Sequence, residues 1–179
     1  IAALDAWQMT FEEYRRRVIE DQGAAADARY MSGDKIVKAD AYDEDGKKLK
    51  AKQEYVVRQG GADPYMVRFA QDTSTEWTGD YWRDLDFIQT TQVIMGRKLH
   101  SNGRVFLWEA TRELGMRYRP IEGYAGWVLG GEGDDEVYFS VDQCYTEEEL
   151  ELAELEHRNP RPELWIRFNC DGCIVDVED

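Results

Sequence analysis

The sequence predicts an α+β fold with an antiparallel sheet. Two segments, residues 10–13 (TFEE) and 146–149 (TEEE), have the T-x-x-E capping box that begins helices, and apolar residues at helical spacing follow each of them. Other segments are rich in β-branched and aromatic residues and are separated by Asp-Gly or Asn-Gly turns. Because these turns reverse the chain within a few residues, we expect neighbouring strands to run antiparallel.

The first half of the chain begins with a predicted helix at about residues 11–22, which ends before Gly23. A long, highly charged hairpin is predicted over residues 35–58, with its turn at residues 43–46 (DEDG). A strand is predicted at residues 65–70, where apolar side chains alternate with others.

Residues 81–99 have two competing interpretations. Trp82, Leu85 and Ile88 have helical spacing, whereas the apolar run with two adjacent threonines that follows is typical of a strand. The β-branched content favours a strand at residues 86–95.

The second half contains a predicted buried strand at residues 104–109 (RVFLWE) and one helical turn at 110–114, which Gly115 ends. An acidic helix is predicted near residues 146–158. A hairpin is predicted from the two apolar runs that flank Asp171 and Gly172, residues 164–169 and 173–177.

The net charge of −15 is unevenly distributed along the 179 residues. Residues 1–100 have 18 acidic and 15 basic residues, whereas residues 101–179 have 19 and 7. We therefore expect an N-terminal region at 1–100, with the helix and the hairpin, and an acidic α+β region at 101–179. One continuous domain is the alternative. The shortage of clustered Lys and Arg argues against binding nucleic acid.

The compartment is predicted from the apolar runs and the cysteines. No apolar run approaches the length of about 20 residues that a membrane helix needs, so no membrane partner is expected. The first residues lack a basic segment and include Asp5, which argues against a signal peptide. Three cysteines cannot form a full disulfide framework, so the expected compartment is a reducing cytoplasm.

The sequence has few candidate catalytic residues. His100 and His157 are the two histidines, and neither accompanies a nucleophile or a known catalytic motif. We expect a protein that is not an enzyme and that has no cofactor.

The cysteines give one alternative. Cys170 and Cys173 flank a tight turn and could point at one zinc ion, with Cys144 and His157 as further candidate ligands. A metal- or thiol-dependent protein is therefore an alternative function. The opposite interpretation is that the two cysteines are ordinary neighbours across a hairpin, so no metal is the prediction.

The central stretch, residues 123–141, carries the candidate binding site. Two apolar runs flank a glycine-rich acidic link (GGEGDDE), which predicts a hairpin or a close strand pair with an acidic tip. A protein partner with a basic surface would fit such a tip. The candidate contact residues are Trp127, Glu132, Asp134, Asp135, Glu136 and Tyr138. The alternatives are core packing for Trp127 and a solubilising role for the acids.

Residues 104–145 resemble a family of bacterial immunity-type proteins from polymorphic toxin systems. The resemblance is carried by Gly115, Tyr118 and Arg119, by the pair Gly126-Trp127, and by the acidic stretch at 131–136. It implies a non-enzymatic protein that binds and neutralises a toxin, with a basic toxin as the partner that the charge favours. A small-ligand protein with a pocket in the aromatic-rich sheet is a further alternative.

Overall fold

The structure is a computed structural model that describes residues 34–58 and 63–175, together with Glu13, Arg16, Arg17 and Glu20. Those four residues are helical. The rest of the predicted helix at 11–22 lies outside the described residues.

The described part of the chain has an α+β fold, as predicted, and every strand pair in its sheets is antiparallel. Within residues 34–58 and 63–175, three α-helices and a short 3-10 helix (Pro120–Gly123) accompany seven strands. The helices are α1 (Tyr81–Asn102), α2 (Leu107–Glu113) and α3 (Glu147–Glu156). The strands are β1 (Asp34–Ala39), β2 (Gln53–Arg58), β3 (Met66–Phe69), β4 (Arg104–Phe106), β5 (Gly126–Val128), β6 (Phe139–Cys144) and β7 (Glu163–Phe168).

The strands form three small sheets. The largest has the order β3-β7-β6, and the other two are the pairs β1-β2 and β4-β5. The hairpin predicted over residues 35–58 is confirmed, and Gly46 has a φ of 80° in its turn. This hairpin meets the largest sheet where the Tyr145 amide donates to the Val56 carbonyl at 2.8 Å.

The main core lies between α1 and the strands. Trp127, Phe139 and Phe168 form an aromatic cluster, with the Phe139 and Phe168 rings 4.8 Å apart and perpendicular. Ile88 and Met95 of α1 are buried in the same core. The core therefore joins residues on both sides of position 100. A smaller cluster under the β1-β2 hairpin contains Tyr55, Val57 and Leu150.

The strand predicted at residues 86–95 is wrong, because these residues belong to α1. The Asp80 side chain accepts from the Arg83 amide at 3.1 Å and begins the helix, and Gly103, with a φ of 77°, ends it. The buried side chains of α1 recur every three or four residues, as a helix on a core requires. They are Asp84, Ile88, Thr91, Met95 and Leu99.

The strand predicted at residues 104–109 ends early. Phe106 is its last residue, and α2 begins at Leu107. The Glu109 carboxylate accepts from the Phe106 amide at 2.9 Å, which satisfies one of the free donors at the start of the helix.

The two apolar runs of the central stretch do not pair with each other. β5 pairs with β4, and β6 pairs with β7. The predicted hairpin is therefore wrong, although both strands exist. The reason is tertiary packing, since each run buries its aromatic side chain against strands from elsewhere in the chain.

The C-terminal hairpin is also wrong as predicted. β7 pairs with β3 and β6, and the residues after it run antiparallel beside β5. The Asp171 amide donates to the Gly126 carbonyl at 2.8 Å, and Cys173 bridges to Ala125. By contrast, the acidic helix near residues 146–158 is confirmed as α3, where Thr146 Oγ1 accepts from the Glu149 amide at 3.1 Å.

Among the described residues, no helix is both long enough and apolar enough to cross a membrane.

Candidate partner-binding surface

The acidic link of the central stretch is an exposed loop between β5 and β6. We call residues 130–136 the acidic loop. Its four carboxylates, those of Glu132, Asp134, Asp135 and Glu136, are all exposed. Tyr138 follows the loop with 58% of its surface exposed, between the buried residues Val137 and Phe139. The structure thus places five of the six predicted contact residues together at the surface.

Trp127, the sixth predicted contact residue, is only 1% exposed and packs in the main core. Its placement in a contact surface is therefore corrected, because a buried ring has no face to offer a partner. Its Nε1 donates to Asn169 Oδ1 at 2.8 Å. Trp127 thus supports the residue that fixes one end of the acidic loop.

Asn169, directly after β7, fixes the C-terminal end of the acidic loop. Its Oδ1 accepts from the Trp127 side chain and also from the Tyr138 amide, at 2.7 Å. Its Nδ2 donates to the Glu136 carbonyl at 2.9 Å. One amide side chain therefore satisfies two donors and one acceptor and ties the loop to the core.

Asp171 fixes the N-terminal end of the loop. Its Oδ2 accepts from the Val128 amide at 2.8 Å. A Cβ atom added to Gly133 would overlap the Asp171 carboxylate, so a larger residue at position 133 would have to displace that carboxylate. The two anchors together hold both ends of the loop.

The loop also has an internal contact. Asp135 has a φ of 56°, a left-handed conformation that Asp and Asn tolerate better than most residues. Its Oδ1 accepts from the Gly130 amide at 2.7 Å. The loop is thus held by hydrogen bonds at its two ends and across its middle.

The charge of the acidic loop is not neutralised by ion pairs within the described part of the chain. No ion pair between described residues involves its four carboxylates, whereas several acids of α3 are paired. Glu149 binds Arg158 Nη1 at 2.6 Å; burial alone would raise the pKa of this glutamate, but the hydrogen bonds from Arg158 and from the Arg161 amide lower it. Glu147 lies 3.0 Å from Lys35 Nζ. The loop is therefore a more concentrated negative surface than the acidic helix.

The candidate metal ligands occupy different surroundings. Cys144 is buried in β6, and burial raises the pKa of its thiol to about 12. Burial likewise raises the pKa of the Cys170 thiol to about 12. Cys173 is exposed, and the His157 Nδ1 lies 3.4 Å from the Tyr42 hydroxyl. Within residues 34–58 and 63–175, no three His, Cys, Asp or Glu side chains form a group that could hold a metal ion.

The different burial of the three cysteines predicts that only one of the thiols reacts in the folded protein. At pH 8, iodoacetamide should modify Cys173 alone in the folded protein, because Cys144 and Cys170 are shielded and stay protonated. Intact-mass spectrometry should show one added group in buffer and three in guanidinium chloride. Rapid modification of Cys170 without denaturant would contradict the packing described here.

Sequence reasoning missed Asn169 and Asp171 as functional positions. The predicted hairpin places Asn169 at the end of its first strand and Asp171 in its turn, where Asp is common for backbone reasons. The signal that could have identified them is their position after an apolar run and before Gly172. Their partners are more than 30 residues away in sequence, which local patterns do not reveal.

The fold and the site together define an α+β domain that presents a fixed acidic loop. The chain belongs to a family of unknown function, DUF6353, whose model matches residues 1–178. Comparison with curated proteins gives no match, and comparison with solved structures gives none either.

Proposed function

We propose that this chain is a non-enzymatic protein-binding domain, and that its acidic loop engages a basic surface of a partner protein. One observation carries the proposal: four exposed carboxylates without ion-pair partners among the described residues lie on a loop that Asn169 and Asp171 hold in place. The odd number of cysteines favours a reducing compartment, so we place the interaction in the cytoplasm.

A fixed acidic loop suits fast and specific association. Because its ends are already tied to the core, little conformational entropy is lost when a partner orders it. Concentrated charge accelerates the encounter with a basic surface and selects against acidic partners. Tyr138, exposed beside the loop, supplies the aromatic contact that often contributes strongly to affinity.

The finer proposal is that the partner is a basic toxin and that this chain is its immunity or inhibitor protein. It rests on the resemblance over residues 104–145. In that arrangement the acidic loop would cover a basic surface that the toxin needs for its activity.

The proposal is tested by capture from the lysate of the native host. The wild type is compared with a loop variant (Asp134→Lys, Asp135→Lys and Glu136→Lys) and with a control that changes the net charge equally. The control substitutes lysine for exposed acids of α2 and α3, Glu113, Glu151 and Glu154. Charge reversal at the contact should lower affinity by at least about 100-fold, since like charges across an interface cost several kcal/mol.

Mass spectrometry should identify a basic protein that the wild type and the control retain and the loop variant loses. Circular dichroism of all three proteins checks that the variants fold. Equal capture by the wild type and the loop variant would exclude the acidic loop as the binding site. Loss of capture by the control as well would show a response to net charge alone.

A further inference from the structure

A second candidate site lies away from the acidic loop, in a pocket of about 360 Å³ beside β3. Ligand pockets in proteins span about 300–1,000 Å³, so this pocket has room for a small metabolite. Met66 and Val67 of β3 and Met116 contribute apolar surface to it. Met66 and Val67 are themselves buried, so this side of the pocket is formed by the core.

The polar side of the pocket contains an incompletely paired charge pair. Glu122 is only 1% exposed and lines the pocket. Its Oε2 accepts from the Arg119 amide at 2.9 Å, whereas its Oε1 has no hydrogen-bond partner among the described residues. The Arg119 Nε lies 3.4 Å from that Oε1 without hydrogen-bond geometry, and within the described part of the chain neither Nε nor Nη2 has a hydrogen-bond partner. Buried polar atoms without partners are uncommon and costly, so this pair has unused capacity for both a donor and an acceptor.

The arginines of the pocket differ in how they are paired. Arg68 is bound by Glu163, at 2.9 Å, and by Asp72. Arg117 is exposed and makes no ion pair with any described residue. The lining of the pocket therefore includes the exposed guanidinium of Arg117, which forms no ion pair with a described residue, and the buried carboxylate of Glu122, in a protein whose net charge is −15.

We propose that this pocket binds a small zwitterion, an α-amino acid with an apolar side chain. The ligand's ammonium group pairs with Glu122, its carboxylate pairs with Arg117 and Arg119, and its side chain packs against Met66 and Met116. Because the pocket has charged groups of both signs, it favours a ligand that also carries both charges. A simple anion would be repelled by the carboxylates of Glu122 and Asp72. A simple cation would be repelled by the guanidinium groups of the arginines.

The proposal is tested by isothermal titration calorimetry of the full chain with leucine, methionine and phenylalanine as probes. We expect at least one of them to bind with a Kd below about 1 mM. Two analogues of leucine each keep one charge: 4-methylpentanoate has only the carboxylate, and 3-methylbutylamine has only the amine. If the pocket binds both the ammonium and the carboxylate group of leucine, each analogue should bind at least about tenfold more weakly than leucine.

Two variants assign the binding to this pocket. Glu122→Gln keeps an acceptor for the Arg119 amide and removes the charge. Arg117→Met changes an exposed side chain that forms no ion pair with a described residue. Each should weaken binding of the best probe at least about tenfold. Arg83→Met is the control, since Arg83 is exposed on α1 and does not line the pocket. The Arg83→Met protein should bind the best probe with the same affinity as the wild type.

Three results would overturn the proposal. The first is no heat of binding for any of the three amino acids at about 10 mM, which lies well above the expected Kd. The second is binding of 4-methylpentanoate as tight as that of leucine, which would show an anion site. The third is an unchanged affinity in Arg117→Met, which bears on the proposal even if Glu122→Gln fails to fold. None of these results depends on the acidic loop, so this proposal and the proposed function can fail separately.

Discussion

Replacing Gly126 by alanine is expected to lower the free energy of unfolding by at least about 3 kcal/mol. Gly126 lies in β5, between β4 on one side and residues 171–174 on the other. An added Cβ would overlap the Val105 carbonyl oxygen and would lie 2.9 Å from both the Phe106 Cα and the Ile174 Cδ1. Because the oxygen belongs to the backbone of the paired strand, no side-chain rotation relieves the overlap, and β4 must move away from β5.

Gly96→Ala is the matched control for this prediction. Gly96 lies within α1, and an added Cβ there meets nothing within 4 Å. Alanine loses less backbone entropy than glycine in a helix, so Gly96→Ala should stabilise the protein by about 0.5–1 kcal/mol. Urea titrations followed by circular dichroism measure both variants. A Gly126→Ala protein within about 1 kcal/mol of the wild type would contradict the described packing of β5.

Replacing Arg58 by methionine is expected to cost about 3–5 kcal/mol, because it leaves a shielded carboxylate without its partner. Arg58 Nε and Nη2 bind the two Asp34 oxygens at 2.8 and 3.0 Å, and the side chains are 5% and 6% exposed. The hydrogen bonds that Arg58 donates to Asp34 are the main cause that raises the pKa of Arg58 above its ordinary value. The guanidinium also lies 5.5 Å from the centre of the Trp165 ring, so it joins the β1-β2 hairpin to the largest sheet.

The double variant Arg58→Met, Asp34→Leu separates the lost pair from the charge left behind. Replacing both partners of a buried pair by apolar residues is often close to neutral, so the second substitution should restore at least about half of the lost stability. The free energies come from the same urea titrations. If the double variant is less stable than Arg58→Met alone, the cost does not come from an unpaired carboxylate.

Local sequence patterns predicted a helix or a hairpin correctly where one clear signal was present, and less well where signals for a helix and a strand competed. The Asp-Gly turn at 43–46 and the T-x-x-E box at 146–149 each define an element that the structure contains. In α1 the helical stripe includes the polar residues Asp84 and Thr91, so an apolar pattern alone does not show it. Asp84 is buried because its Oδ1 accepts from the Thr78 amide and hydroxyl, at 3.0 and 2.6 Å, and such a contact has no local sequence signature.

Strand pairing was the least predictable part of the fold. β5 and β6 are close in sequence, yet each pairs with a strand that follows or precedes the central stretch. The choice depends on how Trp127, Phe139 and Phe168 pack together, and packing of that kind emerges only when the chain is folded.

The candidate site also has some features that the sequence predicts and others that it does not. The exposure of the acidic loop follows from its composition, since four carboxylates and three glycines have no place in a core. The anchors Asn169 and Asp171 depend on contacts between distant segments, and so does the burial of Trp127. The pocket beside β3 was invisible to local patterns, because Met66 and Glu122 are separated by more than fifty residues.

The most direct test of the acidic loop is the association rate of the captured partner with a charge-neutral loop, measured by stopped-flow fluorescence at two salt concentrations. The neutral residues keep the size of the originals, and an asparagine at position 135 keeps the acceptor for the Gly130 amide and tolerates the left-handed backbone. The substitutions are Glu132→Gln, Asp134→Asn, Asp135→Asn and Glu136→Gln.

At low salt the neutral loop should associate at least about tenfold more slowly than the wild type, because charge steering is lost. Added salt should slow the wild type strongly and the variant little. Equal association rates for the two proteins at both salt concentrations would contradict the account, because they would show that the acidic loop does not guide or contact the partner.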